Sequence, residues 1–247
     1  KGDWTYWMLL AGRGFGKTRT GAETVRQWVR SNQFVSIIGP TAASARDVMV
    51  EGPAGILAIC PDDERPTYLK SQNKLEWQNG AVTLIFSADE PERLRGPQHA
   101  KIWADELAAW RYAEAWDHAK FGLRLGNSPQ AVITTTPKPK RFITELLADR
   151  RTVITRGTSY ENRANLAESF FDDIVKKYEG TRLGRQELRA EILTDTPGAL
   201  WTRENIRHMP IRDVPVLRRI VIAIDPPAKS TEGSDECGIV AVGEDDR

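Results

Sequence analysis

The residues best equipped for chemistry are Lys17 and Thr18, which close a glycine-rich run, and the adjacent acids Asp105 and Glu106. The run Ala11-Gly-Arg-Gly-Phe-Gly-Lys-Thr18 lies between an apolar stretch, Trp4 to Leu10, and a segment with Ala22, Val25 and Val29 at helical spacing. It is therefore expected to join a strand to a helix, the context that makes such a run a phosphate-binding loop. Backbone N–H groups can close around phosphate oxygens there, and the helix N-terminus adds its positive end. Gly12, Arg13, Gly14, Phe15, Gly16, Lys17 and Thr18 would form the nucleotide cradle. Lys17 would reach the β and γ phosphates of ATP, and the Thr18 hydroxyl would hold the accompanying Mg²⁺. Ala11 stands where the general motif has its first glycine, so the loop must turn there with a methyl group present.

A phosphate loop alone does not separate kinases, GTPases and motors. Ile102-Trp-Ala-Asp105-Glu106 is a short apolar strand ending in two acids. At that edge Asp105 can join the magnesium shell, while Glu106 can orient and deprotonate a water for attack on the γ phosphate. Water as the nucleophile means hydrolysis. The bland alternative is an acidic pair that caps the next helix.

These groups need a scaffold, and the hydrophobic pattern supplies one. Val35 to Ile38, Ile102 to Ala104, Ala131 to Thr135 and Thr152 to Thr155 read as short strands. Helices are expected after Thr18, from a cap near Thr41 to before Gly52, and over Ala113 to Leu125. Leu75 to Phe86 reads as a hairpin around Asn79-Gly80. This alternation predicts an α/β fold with a mostly parallel sheet covered by helices, of the RecA-like branch because of the room between the two motifs. The expected ATPase core covers 1–157. Amphipathic helices over Ala167 to Tyr178 and Arg182 to Ile192, with no strand between, predict a small helical lid at 158–194. Residues 195–217 read as a linker, and strands over Ile220 to Ile224 and Gly238 to Val242 open a further domain at 218–247.

Composition bounds the partners. The 247 residues carry 35 Lys+Arg against 34 Asp+Glu, so any contact with nucleic acid must be local. Lys138, Lys140, Arg141, Arg150 and Arg151 form one basic cluster and Lys176 with Lys177 another, although either could be a solvated face. Cys60 and Cys237 match no metal or disulfide spacing, and His99, His118 and His208 are scattered. No apolar run approaches the ~20 residues of a membrane span, so a soluble chain with no membrane partner is expected. The start at Lys1 and the end just after a new strand pair suggest a fragment.

Several segments together resemble the large terminase subunit of tailed bacteriophages. They are Gly12-Arg-Gly-Phe-Gly-Lys-Thr18, Glu92-Arg-Leu-Arg-Gly-Pro-Gln98, Thr134-Thr-Thr-Pro137, Tyr160-Glu-Asn-Arg-Ala-Asn-Leu166, Pro197-Gly-Ala-Leu-Trp201 and Ile222-Ala-Ile-Asp-Pro226. The resemblance spans nearly the whole chain. It implies an ATPase that assembles as a homo-oligomeric ring, by analogy a pentamer, on the portal protein of a capsid and drives double-stranded DNA inward. A small terminase subunit would be a further partner, and the host cytoplasm the location. Arg95 would be an arginine finger acting on a neighbouring subunit, Arg13 a phosphate sensor in its own, and Thr135 the centre of a run coupling phosphate loss to movement. Asp225 would be the first carboxylate of an RNase H-like nuclease using Mg²⁺ or Mn²⁺, with Asp235 a second, incomplete within these residues. Arg95 could instead be a surface ion pair, Thr135 a plain strand end and Asp225 a turn former. Other readings of the same motifs are a RecA-like helicase or translocase, and a non-catalytic assembly protein switched by nucleotide.

Overall fold

The computed structural model describes residues 4–31, 34–193, 209–226 and 238–245. The chain divides into two units, 1–194 and 195–247. His208, Asp235, Cys237, Pro197 to Trp201 and much of the expected linker lie outside the described residues.

In the first unit, β1 (Tyr6–Ala11) leads through the glycine-rich loop into α1 (Lys17–Trp28), then β2 (Phe34–Gly39). The Thr41 hydroxyl accepts the Ser44 N–H and starts α2 (Ala42–Ser44), which widens into a π-type turn over Ala45–Val50. There follow α3 (Ile56–Ile59), β3 (Thr67–Leu69), β4 (Lys74–Glu76), β5 (Val82–Ser87) and β6 (Lys101–Asp105). Next come α4 (Ala113–Gly122), β7 (Gln130–Thr135), α5 (Arg141–Ala148) and β8 (Thr152–Gly157). Beyond β8 the chain is helical: a 3₁₀ segment Ser159–Asn165, a wide turn Phe170–Val175 running into α6 (Lys176–Tyr178), and α7 (Arg182–Glu187). The Thr158 and Glu161 side chains form a reciprocal capping box at the start of that region.

The sheet runs β3-β4-β5-β2-β6-β7-β1-β8. From β5 to β8 all pairings are parallel, while β3 and β4 are antiparallel at one edge. The expected hairpin is β4 and β5: Asn79 Oδ1 accepts the Ala81 N–H, and Trp77 and Ala81 close the ladder. The strand β3 was not legible, because Thr67–Leu69 is too short to show an alternation. α4 stops at Gly122 rather than Leu125, and α7 at Glu187 rather than Ile192.

Period-two alternation splits the core into two faces. On β6, Ile102 and Ala104 join Met8, Leu10, Ile133 and Trp116 under α4, whereas Trp103 faces Val25, Val35, Ile37 and Val132 under α1. α1 presses so close that a Cβ on Gly21 would lie 2.1 Å from the Trp103 ring. All five residues of β6 are buried, so the strand that carries the acidic pair is the most enclosed part of the sheet.

The second unit contributes β9 (Arg219–Asp225) paired antiparallel with β10 (Gly238–Glu244), Asp225 opposite Gly238.

One core residue gives the fold a pH dependence. His99, ahead of β6, is fully buried beside Ser36 Oγ at 2.6 Å from its Nδ1, and Nε2 has no partner among the described residues. Burial, helped by the Arg124 charge, pushes this imidazole down to about 4. A histidine lowered in the folded state binds its proton in the unfolded chain first, so stability is complete above the ordinary value near 6.5 and falls as pH drops toward the folded one. Between pH 7.5 and pH 5 urea unfolding should reveal a loss of about 2 kcal/mol that His99→Gln does not share. Parallel losses in the two proteins would show that the imidazole is not the group responsible.

Candidate nucleotide site

The glycine-rich loop and the ends of β6 and β7 meet in a cleft of about 540 Å³, lined by residues that include Gly14, Gly16, Lys17, Thr18, Glu106 and Thr136. Gly16 sits at φ 102°, a left-handed conformation open to glycine, and hands the chain directly to α1. The Lys17 ammonium is buried and donates to the carbonyls of Ala11 at 2.9 Å and Gly12 at 3.2 Å. It also lies 3.5 Å from Glu106 Oε1. Ala11, fully buried, is the last residue of β1, so its methyl fills core where the general motif has a glycine.

Glu106 adopts φ 45° and ψ 45°, an uncommon backbone conformation for a side-chain-bearing residue that persists only where surroundings enforce it. Its Oε2 accepts the Thr136 N–H at 3.2 Å and the Thr136 hydroxyl at 3.0 Å. One carboxylate thus bridges the loop lysine and the end of β7.

Asp105 lies behind it. Its Oδ1 accepts the Thr134 hydroxyl at 2.6 Å, and that oxygen in turn accepts Trp103 Nε1 at 2.7 Å. Burial pushes the Asp105 carboxyl up to about 6, opposed by the Thr134 hydrogen bond and the Lys17 charge and aided by Glu106.

The threonine run divides its labour by alternation. Thr134 holds Asp105, Thr136 holds Glu106, and Thr135 faces the wall, where its hydroxyl accepts the Ala108 N–H at 3.0 Å and donates to the Thr136 carbonyl. The residue that faces the cleft is therefore Thr136, one position beyond the expected centre.

Arg13 lines the cleft with a mostly exposed side chain, its Nε 3.9 Å from Glu187. Arg95 follows a short 3₁₀ turn ahead of β6, exposed and paired with Glu92 at 3.1 Å; it does not line the cleft of its own chain. Asp225 is an exposed strand end in the second unit. In the basic clusters, Lys138 lines the cleft and Lys140 Nζ donates to the Trp110 carbonyl. Arg141, Arg151 and Lys176 are ion-paired with Glu145, Asp149 and Asp172. Sequence reasoning missed Thr136 as the partner of Glu106, and also Ser159, Asn162 and Glu187, which touch the loop from outside. Asn162 lies inside the Tyr160–Leu166 segment singled out above and Ser159 borders it, but nothing there names what they touch; Glu187 lies further on, at the end of α7.

A lysine-bearing glycine loop after β1, with an acidic strand end two strands away across β7 in a parallel sheet, defines a RecA-like P-loop nucleotide-binding domain. The family model described as terminase large subunit, T4likevirus-type, N-terminal, matches residues 8–208. The chain belongs to the terminase large subunit family. Solved structures carry the same fold at low identity. The large terminase of a thermophilic bacteriophage, in complex with ADP, aligns with a TM-score of 0.63 and 16% identity over 75% of this chain and 48% of that one. The large terminase ATPase domain of Thermus phage P74-26 aligns at 0.58 and 17%, covering 78% of this chain and 90% of that one. The bacteriophage Phi-29 viral genome packaging motor assembly aligns at 0.51 and 13%, covering 81% and 67%. This chain spans about half the length of the ADP-bound thermophilic-phage protein. No curated protein sequence matches it.

Thr134 serves two buried partners at once, which makes its hydroxyl a stability determinant. Thr134→Val keeps the shape but strands the Trp103 N–H and takes from the buried Asp105 carboxyl its side-chain hydrogen bond, and should cost about 2 to 4 kcal/mol in urea unfolding. Trp103→Phe removes the donor at the other end of the chain together with part of a fully buried ring, so its cost should exceed that of the lost bond alone. A Thr134→Val protein as stable as the parent would mean that the buried chain contributes nothing.

Proposed function

We propose that this chain hydrolyses ATP at the cleft between the glycine-rich loop and Glu106, and that in the whole protein this hydrolysis moves double-stranded viral DNA into a capsid. The observation that carries the reading is the Glu106 carboxylate, 3.5 Å from Lys17 Nζ and held by both donors of Thr136. Lys17 binds the β and γ phosphates, and loop N–H groups surround them. Glu106 takes a proton from a water aligned with the γ phosphate, and its strained backbone fixes the direction from which it does so. Loss of the γ phosphate changes what Lys17 attracts, and Glu106 passes that change through Thr136 to β7 and the segment leading into α5. Arg13 senses the phosphates from the loop itself.

Magnesium suits the donors present. Thr18 offers a hydroxyl and Asp105 a carboxylate, both hard oxygen donors, and the described residues contain no cluster of three or more metal-ligating side chains. A cation here would take its remaining ligands from phosphate oxygens and water, the usual habit of Mg²⁺, and would neutralise charge on the group being transferred.

Arg95, on an exposed loop away from its own cleft, acts on the site of a neighbouring subunit in a ring, which is docked on the portal and has a small terminase subunit as a further partner. The ring works in the host cytoplasm. Asp225 is the first carboxylate of a nuclease that needs further acids and a pair of divalent cations.

Glu106→Gln should lower steady-state ATP turnover at least about 100-fold while ATP still binds, whereas Lys17→Ala should lose binding. Turnover by Glu106→Gln equal to the parent's would remove Glu106 from the chemistry. For Arg95, mixtures of Arg95→Ala and Lys17→Ala subunits should recover part of the activity that each lacks alone. No recovery at any ratio would rule out action across a subunit boundary.

A further inference from the structure

Only the inner face of the glycine-rich loop is accounted for by the cleft; its outer face is covered by the helical region that follows β8. A Cβ on Gly12 would lie 2.7 Å from the Leu188 carbonyl and 2.8 Å from that of Glu187, so the glycine makes room for that region's backbone. The contact is built from hydrogen bonds whose directions can be followed peptide by peptide. The Arg13 N–H donates outward to the Glu187 carbonyl at 2.7 Å. In a planar trans peptide the preceding carbonyl, that of Gly12, then points inward, and it does accept Lys17 Nζ at 3.2 Å. The next two peptides have the opposite sense. Ser159 Oγ donates to the Arg13 carbonyl at 2.5 Å, and Asn162 Nδ2 donates to the Gly14 carbonyl at 2.7 Å. With both carbonyls turned outward, the N–H groups of Gly14 and Phe15 must turn inward; that of Phe15 makes a long 3.4 Å contact with Gly12 O inside the loop.

We propose that Ser159 and Asn162 are positioning residues of the nucleotide site, which aim the Gly14 and Phe15 N–H groups at the phosphates by holding the carbonyls behind them. Ser159 is fully buried, and its own N–H is anchored to the Leu188 carbonyl at 2.9 Å. The Asn162 amide cannot rotate freely, because Asn165 Nδ2 donates to its Oδ1 at 2.8 Å and leaves Nδ2 facing the loop. Both side chains thus arrive pre-oriented, so the cradle's donors are set before any phosphate enters. Because the two residues belong to the helical region, phosphate binding and the docking of that region favour each other.

The inference rests on the cleft being a nucleotide site, and the test separates the two. Titrate the full chain with a fluorescent ADP analogue and Mg²⁺, compete with inorganic tripolyphosphate, and record urea unfolding of each variant alongside. Asn162→Asp keeps the shape but puts an oxygen against the Gly14 carbonyl, and Ser159→Ala removes the other donor. Each should weaken binding of both ligands roughly tenfold, about the loss of one well-placed hydrogen bond. Thr181→Ala removes the side-chain cap of α7, which accepts the Gly184 N–H at 3.0 Å, without touching the loop, and should leave both affinities within about twofold. Affinities unchanged in Asn162→Asp would overturn the proposal, as would an equal loss in Thr181→Ala, which would assign the effect to stability of the helical region. If burial makes Ser159→Ala unfold, the half-buried Asn162 decides alone. A parent protein that binds neither ligand would bring down the nucleotide site itself and this inference with it.

Discussion

Three segments far apart in sequence are tied together by the carboxylate of Glu106: the glycine-rich loop through Lys17, the end of β6 through its own backbone, and the end of β7 through Thr136. The tie is under tension. Glu106 holds a left-handed backbone, which costs of order 1 to 3 kcal/mol, and the surrounding hydrogen bonds must outweigh that cost. They can do so because β6 on one side is buried at every residue and β7 beside it is nearly so, and the carboxylate therefore has a rigid base. The carboxylate faces Lys17 with one oxygen and the end of β7 with the other, so the loop and β7 share a single group.

The sequence made the loop and the acidic pair legible for a physical reason: phosphate cradles need glycine, lysine and a hydroxyl at fixed offsets, and those offsets survive in the bare chain. The parallel sheet was legible because its strands are buried on both faces and read as continuous apolar runs. The partners that orient the site were not. Thr136 is one residue past the end of β7, and no pattern in Thr134-Thr-Thr136 says which hydroxyl faces which side until the register with β6 is known, where Asp105 stands opposite Thr134. One residue of register reverses every side chain. Ser159 and Asn162 were hidden differently: the segment around Asn162 stood out, but the contacts with Arg13 and Gly14 span well over a hundred positions, and nothing local names those partners. The early stop of α7 at Glu187 belongs to the same class, since the loop and Ser159 bind the backbone of Glu187 and Leu188 where that helix ends.

Several residues of the basic clusters have their charge partly balanced where they stand. Arg141, Arg151 and Lys176 each have an acidic neighbour within four positions, and Lys140 is bound to a backbone carbonyl. Such exposed pairs contribute little to stability, yet they reduce the local field that a phosphate backbone would meet. A run of basic letters therefore overstates the charge left free at those four positions. Lys138 differs, because it lines the nucleotide cleft with Thr136 and its charge adds to that of Lys17.

The glycine-rich loop thus has two faces with separate tasks. Its inner face offers N–H groups and Lys17, and its outer face is docked by Ser159, Asn162, Glu187 and Leu188 through backbone atoms and short side chains. A loop of this size has too few peptide groups for the two tasks to be independent, because each planar peptide that turns its carbonyl out must turn its N–H in. Movement of the helical region away from the loop would therefore rotate the N–H groups that we propose for phosphate, and on that proposal a change in the phosphates would strain the contacts that hold the helical region. Mechanical coupling between the two needs no additional element; it follows from the planarity of the Arg13–Gly14 and Gly14–Phe15 peptides and the position of the groups on either side of them.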